Sequence, residues 1–288
     1  LMNAIPAIIA GVKRIVMVSP NKKGKQNPGI LYAAKKCNIK EIYSIGGAQA
    51  IAALAYGTKK ILKVNKIVGP GNLYVTAAKK EVFGDVGIDM VAGPSEITVV
   101  GDKFSNADWI SSDLIAQAEH DELSQSILIS KDKNLINKVQ NSLINQLKSL
   151  PRKLIASKSL NKNGILIYVS SDKEIISIIN HIAPEHIEIA TKNYKKYLNS
   201  KIIAGSICLG PYSSMSLSDY GPTQHSLPTA SSAKFSSGLS VRDFLTQTSY
   251  NELSKKGVAK LSKTGYLMSN FENLIGHSRS IKKRMEKK

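Results

Sequence analysis

Cysteine is scarce in this sequence. The chain has two cysteines, Cys37 and Cys208, which lie far apart and form no Cys-x-x-Cys pair. A disulfide framework is therefore excluded, and we expect both residues to be reduced, buried thiols. Neither cysteine has the surroundings of a catalytic nucleophile, so we do not expect chemistry that proceeds through a cysteine.

Long hydrophobic runs are also lacking. No apolar stretch is long enough to span a bilayer, and no charged-then-apolar segment opens the chain, so the cytoplasm is the expected location. The sequence has no short-period repeat and no low-complexity segment. With 288 residues, 42% of them hydrophobic, we expect a globular protein of about two domains.

Acidic residues are few, which raises the question of nucleic-acid binding. The 21 Asp and Glu stand against 40 Lys and Arg, for a net charge of +19. The lysines are spread along the chain, however, and the aromatic residues, 6% of the total, do not alternate with basic ones. A nucleic-acid interface normally shows a clustered basic footprint. Nucleic-acid binding is therefore a minor alternative, which predicts salt-dependent binding to generic duplex.

Short apolar runs alternate with helical patterns in the first third of the chain. Such alternation is typical of parallel βαβ units. Two of the predicted strands run into glycine turns, and open α/β sheets bind ligands after their strands. Strands and helices are predicted in alternation at 14–19, 29–38, 41–47, 48–57, 66–72 and 73–83.

The alternation resumes after a Gly-Pro-Ser turn. Residues 87–102 hold two strand-like pieces around this turn. The segment after Ser213, rich in Ser, Gly, Pro and Thr, predicts loops, and the last fifty residues are predicted to be mainly helical. Between the Gly-Pro-Ser turn and Ser213 the predicted order is helix 106–120, strand 124–130, helix 132–149, strand 164–170, helix 172–181, helix 192–199 and strand 205–210.

Two glycine turns are candidate ligand sites. "GGAQA" and "GPGNLY" each follow a predicted strand and open a predicted helix, so their backbone N–H groups could face a phosphate or another polar ligand. Neither completes Gly-x-Gly-x-x-Gly, since Tyr74 occupies the third glycine position after Gly69 and Gly71. Ordinary βα turns explain the same residues equally well.

Gln117 and His120 are candidate metal ligands. They lie three residues apart in the predicted helix 106–120, so they share one face and could point at one ion. Asp219 and His277 could complete a mixed nitrogen and oxygen site for zinc. A structural pair on a surface helix is the alternative, because spacing alone gives no distances.

Glu185 and His186 are a candidate acid–base pair. A histidine titrates near neutrality, and an adjacent carboxylate can orient or charge it. The alternative is a helix terminus with a glutamate in its first turn. Of the other histidines, His181 is predicted to be a packed or surface residue of a helix, and His225 lies in a loop whose function stays open.

Six ordered motifs resemble those of histidinol dehydrogenase. They are "GGAQAIAALAYGT", "KIVGPGN", "IDMVAGPSE", "SDLIAQAEHD", "APEHIEI" and "AGSICLG", and the match runs from residue 1 to about 280. The resemblance implies an α/β fold of two Rossmann-like domains and a small, mainly helical C-terminal segment. The implied bounds are 1–94 for an NAD-binding domain, 95–238 for a second domain with the zinc and catalytic residues, and 239–288 for a dimerisation segment.

The same resemblance implies a zinc- and NAD-dependent oxidoreductase of histidine biosynthesis, which oxidises L-histidinol through L-histidinaldehyde to L-histidine. Glu185 and His186 correspond to the catalytic acid–base pair, and Gln49 and Asn72 correspond to NAD contacts. The residues that correspond to zinc ligands are Gln117, His120, Asp219 and His277. Those that correspond to substrate contacts are Ser95, Gln117, His120, His186, Asp219, Glu272 and His277.

The resemblance also implies a homodimer with shared active sites, and two departures accompany it. Family members are longer at the N-terminus by about one domain, so we expect a fragment that lacks strands of one Rossmann-like domain and a tyrosine contact to NAD. The loop from Asp219 to His225 is expected to be one residue shorter than in the family. The alternative to an active enzyme is a remnant that binds zinc and dimerises without turnover.

Overall fold

Parallel strands and helices alternate through most of the chain, which confirms the α/β fold class. The computed structural model describes residues 1–21, 25–221, 223–224 and 226–285, and His225 lies outside them. The chain divides into two compact units, Leu1–Leu245 and Thr246–Lys288. The division at residues 94 and 238 stays a prediction.

Short strands alternate with helices in the first 94 residues. In chain order they are α1 (Ala4–Ile9), β1 (Val16–Val18), α2 (Pro28–Lys36), β2 (Glu41–Tyr43), α3 (Gly47–Tyr56), β3 (Lys66–Ile67), α4 (Leu73–Glu81) and β4 (Gly87–Ile88). β1 pairs with β2, and β3 pairs with β4, both in parallel. Ile51 and Leu54 of α3 and Ile67 of β3 belong to the apolar cluster that holds these elements together.

A larger parallel sheet follows in the same unit. Its elements and connections are β5 (Glu96–Gly101), α5 (Ala107–Ala118), β6 (Gln125–Ser130), α6 (Lys133–Leu147), α7 (Lys153–Asn163), β7 (Gly164–Tyr168), α8 (Asp172–Ile182), β8 (His186–Ile189), β9 (Ser206–Leu209) and α9 (Met215–Tyr220). The strand order is β7-β6-β5-β8-β9, so the first strand of the series lies in the middle. This is the order of a doubly wound sheet.

Helices cover both faces of this sheet, which is why its strands are almost continuously apolar. On one face, α5 and α6 pack against Ile97 and Val99. On the other, α8 packs against Val100 and Ile187. Alternate residues of β5 therefore point into different clusters, as the period of a strand requires. Each isoleucine buried in this way stabilises the fold by about 1.5–3 kcal/mol.

Three segments differ from the predicted pattern. The predicted helix 192–199 is wrong, because the structure has a 3₁₀ helix at Tyr194–Tyr197 instead. The helix α7 escapes prediction, since its sequence is largely polar and the side chain of its N-cap, Arg152, makes no capping hydrogen bond. The predicted loop after Ser213 contains α9, which begins where the Ser214 hydroxyl accepts a hydrogen bond from the N–H of Leu217.

The second unit contains the helices α10 (Lys255–Phe271) and α11 (Ile275–Met285). Asn273 between them has a φ of 59°, and the N–H of Leu274 donates to the carbonyl of Ser269 at 2.8 Å. This short connection makes the two helices a hairpin. Over the whole described chain, every helix is too short or too polar to span a bilayer.

Glu188 is an acidic side chain inside the core of the first unit. It lies in β8, is 3% exposed, and faces the α5 side of the sheet beside Asp113. Its carboxylate accepts a hydrogen bond from the N–H of Met215, the first residue of α9. Burial and the Asp113 carboxylate hold the pKa of Glu188 above its usual range. Since the two carboxyl groups are hydrogen-bonded to each other, we expect them to share a proton at neutral pH.

Replacing Glu188 by glutamine is expected to flatten the pH dependence of stability. A carboxyl group whose pKa is raised by folding destabilises the folded state progressively as the pH rises from its unfolded pKa, about 4.3, through its folded pKa. Glutamine mimics the protonated form at every pH. Glu188→Gln should therefore match the wild type near pH 4 and exceed its free energy of unfolding by about 1 kcal/mol or more near pH 8, measured by urea denaturation.

Glu174→Gln is a control in which the change in stability with pH is expected to have the opposite sign. Hydrogen bonds from the N–H and the hydroxyl of Ser170 lower the pKa of Glu174. Its stabilising contribution is therefore present above the unfolded pKa, and Glu174→Gln should lose stability relative to the wild type as the pH rises. Parallel pH profiles for the wild type and Glu188→Gln would contradict the shared proton.

Candidate active site

The predicted acid–base residues lie where two neighbouring strands begin. His186 is the first residue of β8 and Glu96 is the first of β5, and in the pairing of these strands His186 stands opposite Ile97. Ser95, a predicted substrate contact, directly precedes β5 and is half-buried. Because the strands are parallel, these residues gather at the amino edge of the sheet. Ligands of doubly wound sheets usually bind at the opposite, carboxyl edge.

The chain reaches this edge through a sharp bend after α8. Ala183 ends the helix in the left-handed conformation with a φ of 47°, and Pro184 cannot continue it. A Cβ at Gly205 would lie 2.7 Å from the carbonyl oxygen of Glu185, so glycine permits β9 to approach the bend. His186 therefore begins a strand, and Glu185 directly precedes it. The alternative of a helix terminus with Glu185 in its first turn is wrong.

Glu185 is a buried carboxyl group with two polar neighbours. Its Oε2 accepts a hydrogen bond from the N–H of Glu96 at 3.0 Å and lies 3.8 Å from Nδ1 of His186. Burial raises the pKa of Glu185 to about 7, against the opposing effect of His186. A carboxyl group of this kind exchanges protons near neutral pH, as a general acid or base requires.

His186 lies between Glu185 and Asp219. Its Nε2 is 3.4 Å from Oδ1 of Asp219. Burial lowers the pKa of His186, but the contact with Asp219 and the charges of both carboxylates outweigh it, so the net pKa is raised. Among the described residues, neither His186 Nδ1 nor Asp219 Oδ1 has a well-aligned hydrogen-bond partner, although both atoms are buried. Buried polar atoms in this state are typical of catalytic or ligand sites.

Gln117 and His120 differ in their surroundings. Gln117 lies in the last turn of α5 and is 1% exposed, whereas His120 is exposed in the turn that follows the helix. The N–H of His120 donates to the carbonyl of Gln117 at 3.2 Å. The helix cannot continue, because the chain turns toward β6 at Asp121, whose carboxylate accepts the N–H of Leu123. The predicted helix 106–120 therefore ends earlier, at Ala118, and the pairing of Gln117 with His120 at one ion stays a prediction.

Gln49 and Asn72, the predicted NAD contacts, lie at the N-terminal ends of two helices, and both are exposed. Gly47, with a φ of 72°, opens α3, and a Cβ there would lie 2.8 Å from Oε1 of Gln49. Asn72 is the N-cap of α4, where its Oδ1 accepts the N–H of Val75 at 3.1 Å. A cap uses only the side-chain oxygen and leaves the NH₂ group for another partner.

A buried ion pair holds the second glycine turn. The side chains of Lys79 and Asp89 are 4% and 3% exposed, and they contact each other directly. The Lys79 ammonium donates to the carbonyl of Gly69 at 3.0 Å, and Oδ2 of Asp89 accepts the N–H of Gly69 at 2.8 Å. Gly69 has a φ of 120° and stands shortly before Asn72. The ion pair thus fixes both the N–H and the carbonyl of Gly69, which lies shortly before the predicted NAD contact Asn72.

The remaining residues that the sequence singled out are Glu272, His277, His181 and the two cysteines. In the second unit, Glu272 is the C-cap of α10 and His277 lies in the first turn of α11, both exposed. Among the described residues, no group of three or more His, Cys, Asp or Glu could hold a metal ion. His181 is exposed on α8, and Cys37 and Cys208 are buried free thiols.

Glu96 is a site residue that the sequence pattern did not single out. Its Oε2 accepts the N–H of Glu185 at 3.3 Å, and its Oε1 accepts the N–H of Ala230 at 3.0 Å. Burial raises the pKa of Glu96. These partners are 89 and 134 positions away, so no local pattern connects them. The available signal is an acidic residue that opens the otherwise apolar segment 96–101.

Comparisons with known proteins agree on one family. The family model described as histidinol dehydrogenase matches residues 1–285. The chain is 63% identical to the histidinol dehydrogenase of Pelagibacter ubique over 100% of the chain and 68% of that relative. It is 48% identical to that of Nitrosomonas europaea over 99% of the chain and 66% of the relative. The crystal structure of histidinol dehydrogenase from Elizabethkingia anophelis matches with a TM-score of 0.93 and 40% identity, over 99% of this chain and 66% of that one. The chain thus spans about two thirds of the length of these relatives.

Removing the ammonium group of Lys79 should destabilise the first unit strongly. Lys79→Met leaves Asp89 buried without its counter-charge, and breaking a buried pair on one side costs about 3–5 kcal/mol. Lys80→Met, at the exposed neighbouring position, is the matched control and should change stability by less than about 0.5 kcal/mol. Urea denaturation measures both. Equal losses for the two variants would mean that the pair does not hold the turn.

Proposed function

The chain belongs to the histidinol dehydrogenase family, and we propose that the protein oxidises L-histidinol through L-histidinaldehyde to L-histidine with two molecules of NAD. The observation that carries this proposal is the array of Glu185, His186 and Asp219 at the amino edge of the sheet, in which the first two side chains are buried and the third is half-buried. Two groups that can exchange protons, Glu185 and His186, lie side by side there, and His186 Nδ1 and Asp219 Oδ1 are buried without a well-aligned hydrogen-bond partner in the described part of the chain.

The two halves of the acid–base pair suit two different steps. His186, oriented by Asp219 at 3.4 Å, can take the proton of the substrate hydroxyl as the alcohol becomes an aldehyde. Glu185, with a pKa raised by burial to about 7, can take a proton from the water that attacks the aldehyde. Neither step needs a thiol nucleophile, in agreement with the two buried cysteines.

The proposed metal site uses Gln117, His120 and Asp219 of one chain. Imidazole nitrogen and carboxamide or carboxylate oxygen form a donor set that zinc accepts. The buried Oδ1 of Asp219, without a well-aligned partner among the described residues, fits a ligand oxygen. Zinc, when bound, would hold the imidazole and amino groups of the substrate, and NAD would accept the hydride. Ser95 and Glu272 complete the proposed substrate contacts.

The proposed NAD contacts are Gln49 and Asn72. Both stand at the start of a helix after a glycine turn, where backbone N–H groups and the helix dipole favour a dinucleotide phosphate. The buried Lys79–Asp89 pair supports this proposal, because it keeps the turn before Asn72 in one conformation. The NAD-binding part, the second α/β part and the C-terminal segment are proposed to divide the chain at residues 94 and 238.

We further propose a homodimer in which His277 and Glu272 of the partner subunit complete each active site. The described residues of a single chain offer no group of three or more His, Cys, Asp or Glu that could hold a metal ion. A site shared between chains resolves this shortage and links metal binding to assembly. A remnant without turnover is less favoured, because Glu185, His186 and Asp219 lie together in the structure.

The function is tested by histidinol-dependent formation of NADH on zinc-loaded protein. The assay is run on this chain alone and on a fusion of this chain with the part of the Pelagibacter ubique relative that lies outside the matched region. Glu185→Gln should lower the rate of histidinaldehyde oxidation by about 100-fold or more and affect alcohol oxidation less, since general-base help contributes about 10²–10⁴-fold. His186→Asn should impair both half-reactions. Equal losses for Glu185→Gln in the two half-reactions would contradict this division of roles.

The shared site is tested by mixing two inactive variants, His120→Ala and His277→Ala, under conditions that allow subunit exchange. Each variant alone should bind less than about one zinc per protomer, because an imidazole ligand is missing. In a heterodimer, one of the two composite sites keeps both histidines, so up to half of the wild-type activity per heterodimer should return. Heterodimers that form without recovering activity or zinc would show that each site is built within one chain.

A further inference from the structure

We infer that Glu96 is a positioning residue for Glu185: its carboxylate anchors the backbone of Glu185, and its own N–H orients the Glu185 carboxylate. The inference rests on the proposed role of Glu185 as the base that activates water. Glu96 itself is assigned no contact with substrate, zinc or NAD.

The first observation is a reciprocal exchange of hydrogen bonds. The N–H of Glu96 donates to Oε2 of Glu185 at 3.0 Å, and the N–H of Glu185 donates to Oε2 of Glu96 at 3.3 Å. Each glutamate therefore binds the main chain of the other. The exchange stands at the start of β5 and β8, one residue before the pairing of Ile97 with His186. It fixes both the backbone and the carboxylate of Glu185 relative to His186.

The second observation is that Glu96 also binds a third segment. Its Oε1 accepts the N–H of Ala230 at 3.0 Å. The same segment is fastened on either side, because the Thr229 hydroxyl accepts the N–H of Gly93 and the Ser231 hydroxyl donates to the carbonyl of Ile182 at 2.6 Å. Glu96 thus connects the starts of two strands with the chain that packs beside them.

The residue type matters, because two N–H donors meet two different oxygens. A carboxylate accepts at both oxygens, whereas glutamine offers one accepting oxygen and one NH₂ donor. In Glu96→Gln, one of the two main-chain N–H groups must therefore face another donor. The substitution keeps the size of the side chain, so it tests the hydrogen bonds without opening a cavity.

The decisive experiment is a double-mutant cycle on the two half-reactions. Glu96→Gln should lower histidinaldehyde oxidation by about tenfold, as expected for the loss of a hydrogen bond to a charged group, and lower alcohol oxidation less. In the Glu185→Gln background, Glu96→Gln should cause no further loss, because a residue that acts through Glu185 has nothing left to position. Independent, multiplying losses in the double variant would overturn the inference.

Glu174→Gln is the matched control. Glu174 also accepts main-chain N–H groups, those of Ser170 and Ser171, but it does so at the start of α8. It should lower stability and leave the ratio of the two half-reactions unchanged. If Glu96→Gln does not fold, Glu96→Asp replaces it, since aspartate keeps both acceptors on a shorter side chain and should shift the ratio in the same direction.

Amide hydrogen exchange supplies a readout that does not depend on activity. Glu96→Gln should speed exchange of the N–H of Glu185 or Ala230, while the amides of α6 keep the wild-type rate. Wild-type protein that forms no NADH with histidinol would contradict the proposed function, and the exchange data would still decide whether Glu96 holds these groups. Unchanged exchange at both positions would overturn the inference in either case.

Discussion

The candidate site depends on the hydrogen bonds that Glu96 and Glu185 exchange between the starts of β5 and β8. Strand pairing alone would bring the two backbones together, but it would leave the Glu185 carboxylate free to turn. Because each carboxylate binds the other residue's N–H, the position of Glu185 is set together with the register that places His186 opposite Ile97. His186 is then held between Glu185, its neighbour in the sequence, and Asp219, which comes from a later segment of the chain.

The same device recurs in the first unit. Asp89 accepts the N–H groups of Gly69 and Met90, and Glu188 accepts the N–H of Met215. In each case a buried carboxylate fixes main-chain N–H groups that take no part in the hydrogen bonds of strand pairing. The cost of burial is met differently each time: Lys79 neutralises Asp89, and a shared proton is our explanation for Glu188 and Asp113.

Much of the fold follows from local sequence, whereas the site follows from it only in part. Strands such as β5 and β6 are predicted because they are apolar runs bounded by turns, and the periodic helices follow for a similar reason. The segment "HIEI" of β8 is too short and too close to charged residues to reveal a strand. The pair Glu185–His186 is conspicuous by residue type alone. Glu96 is not, because its role exists only through partners 89 and 134 positions away.

The placement of the site at the amino edge of the sheet has an electrostatic consequence. In a βαβ unit the helix runs back antiparallel to the strands, so its C-terminal end returns to the edge where the next strand begins. Thus α5 ends shortly after Gln117, and α8 ends three residues before Glu185. Helix C-termini carry partial negative charge, which favours a nearby cation by about 0.3–1 kcal/mol each. At the sheet's opposite edge the helices begin, and partial positive charge favours anions. The two edges of the sheet therefore favour ligands of opposite charge. The amino edge suits a metal ion and a protonated imidazole better than a phosphate.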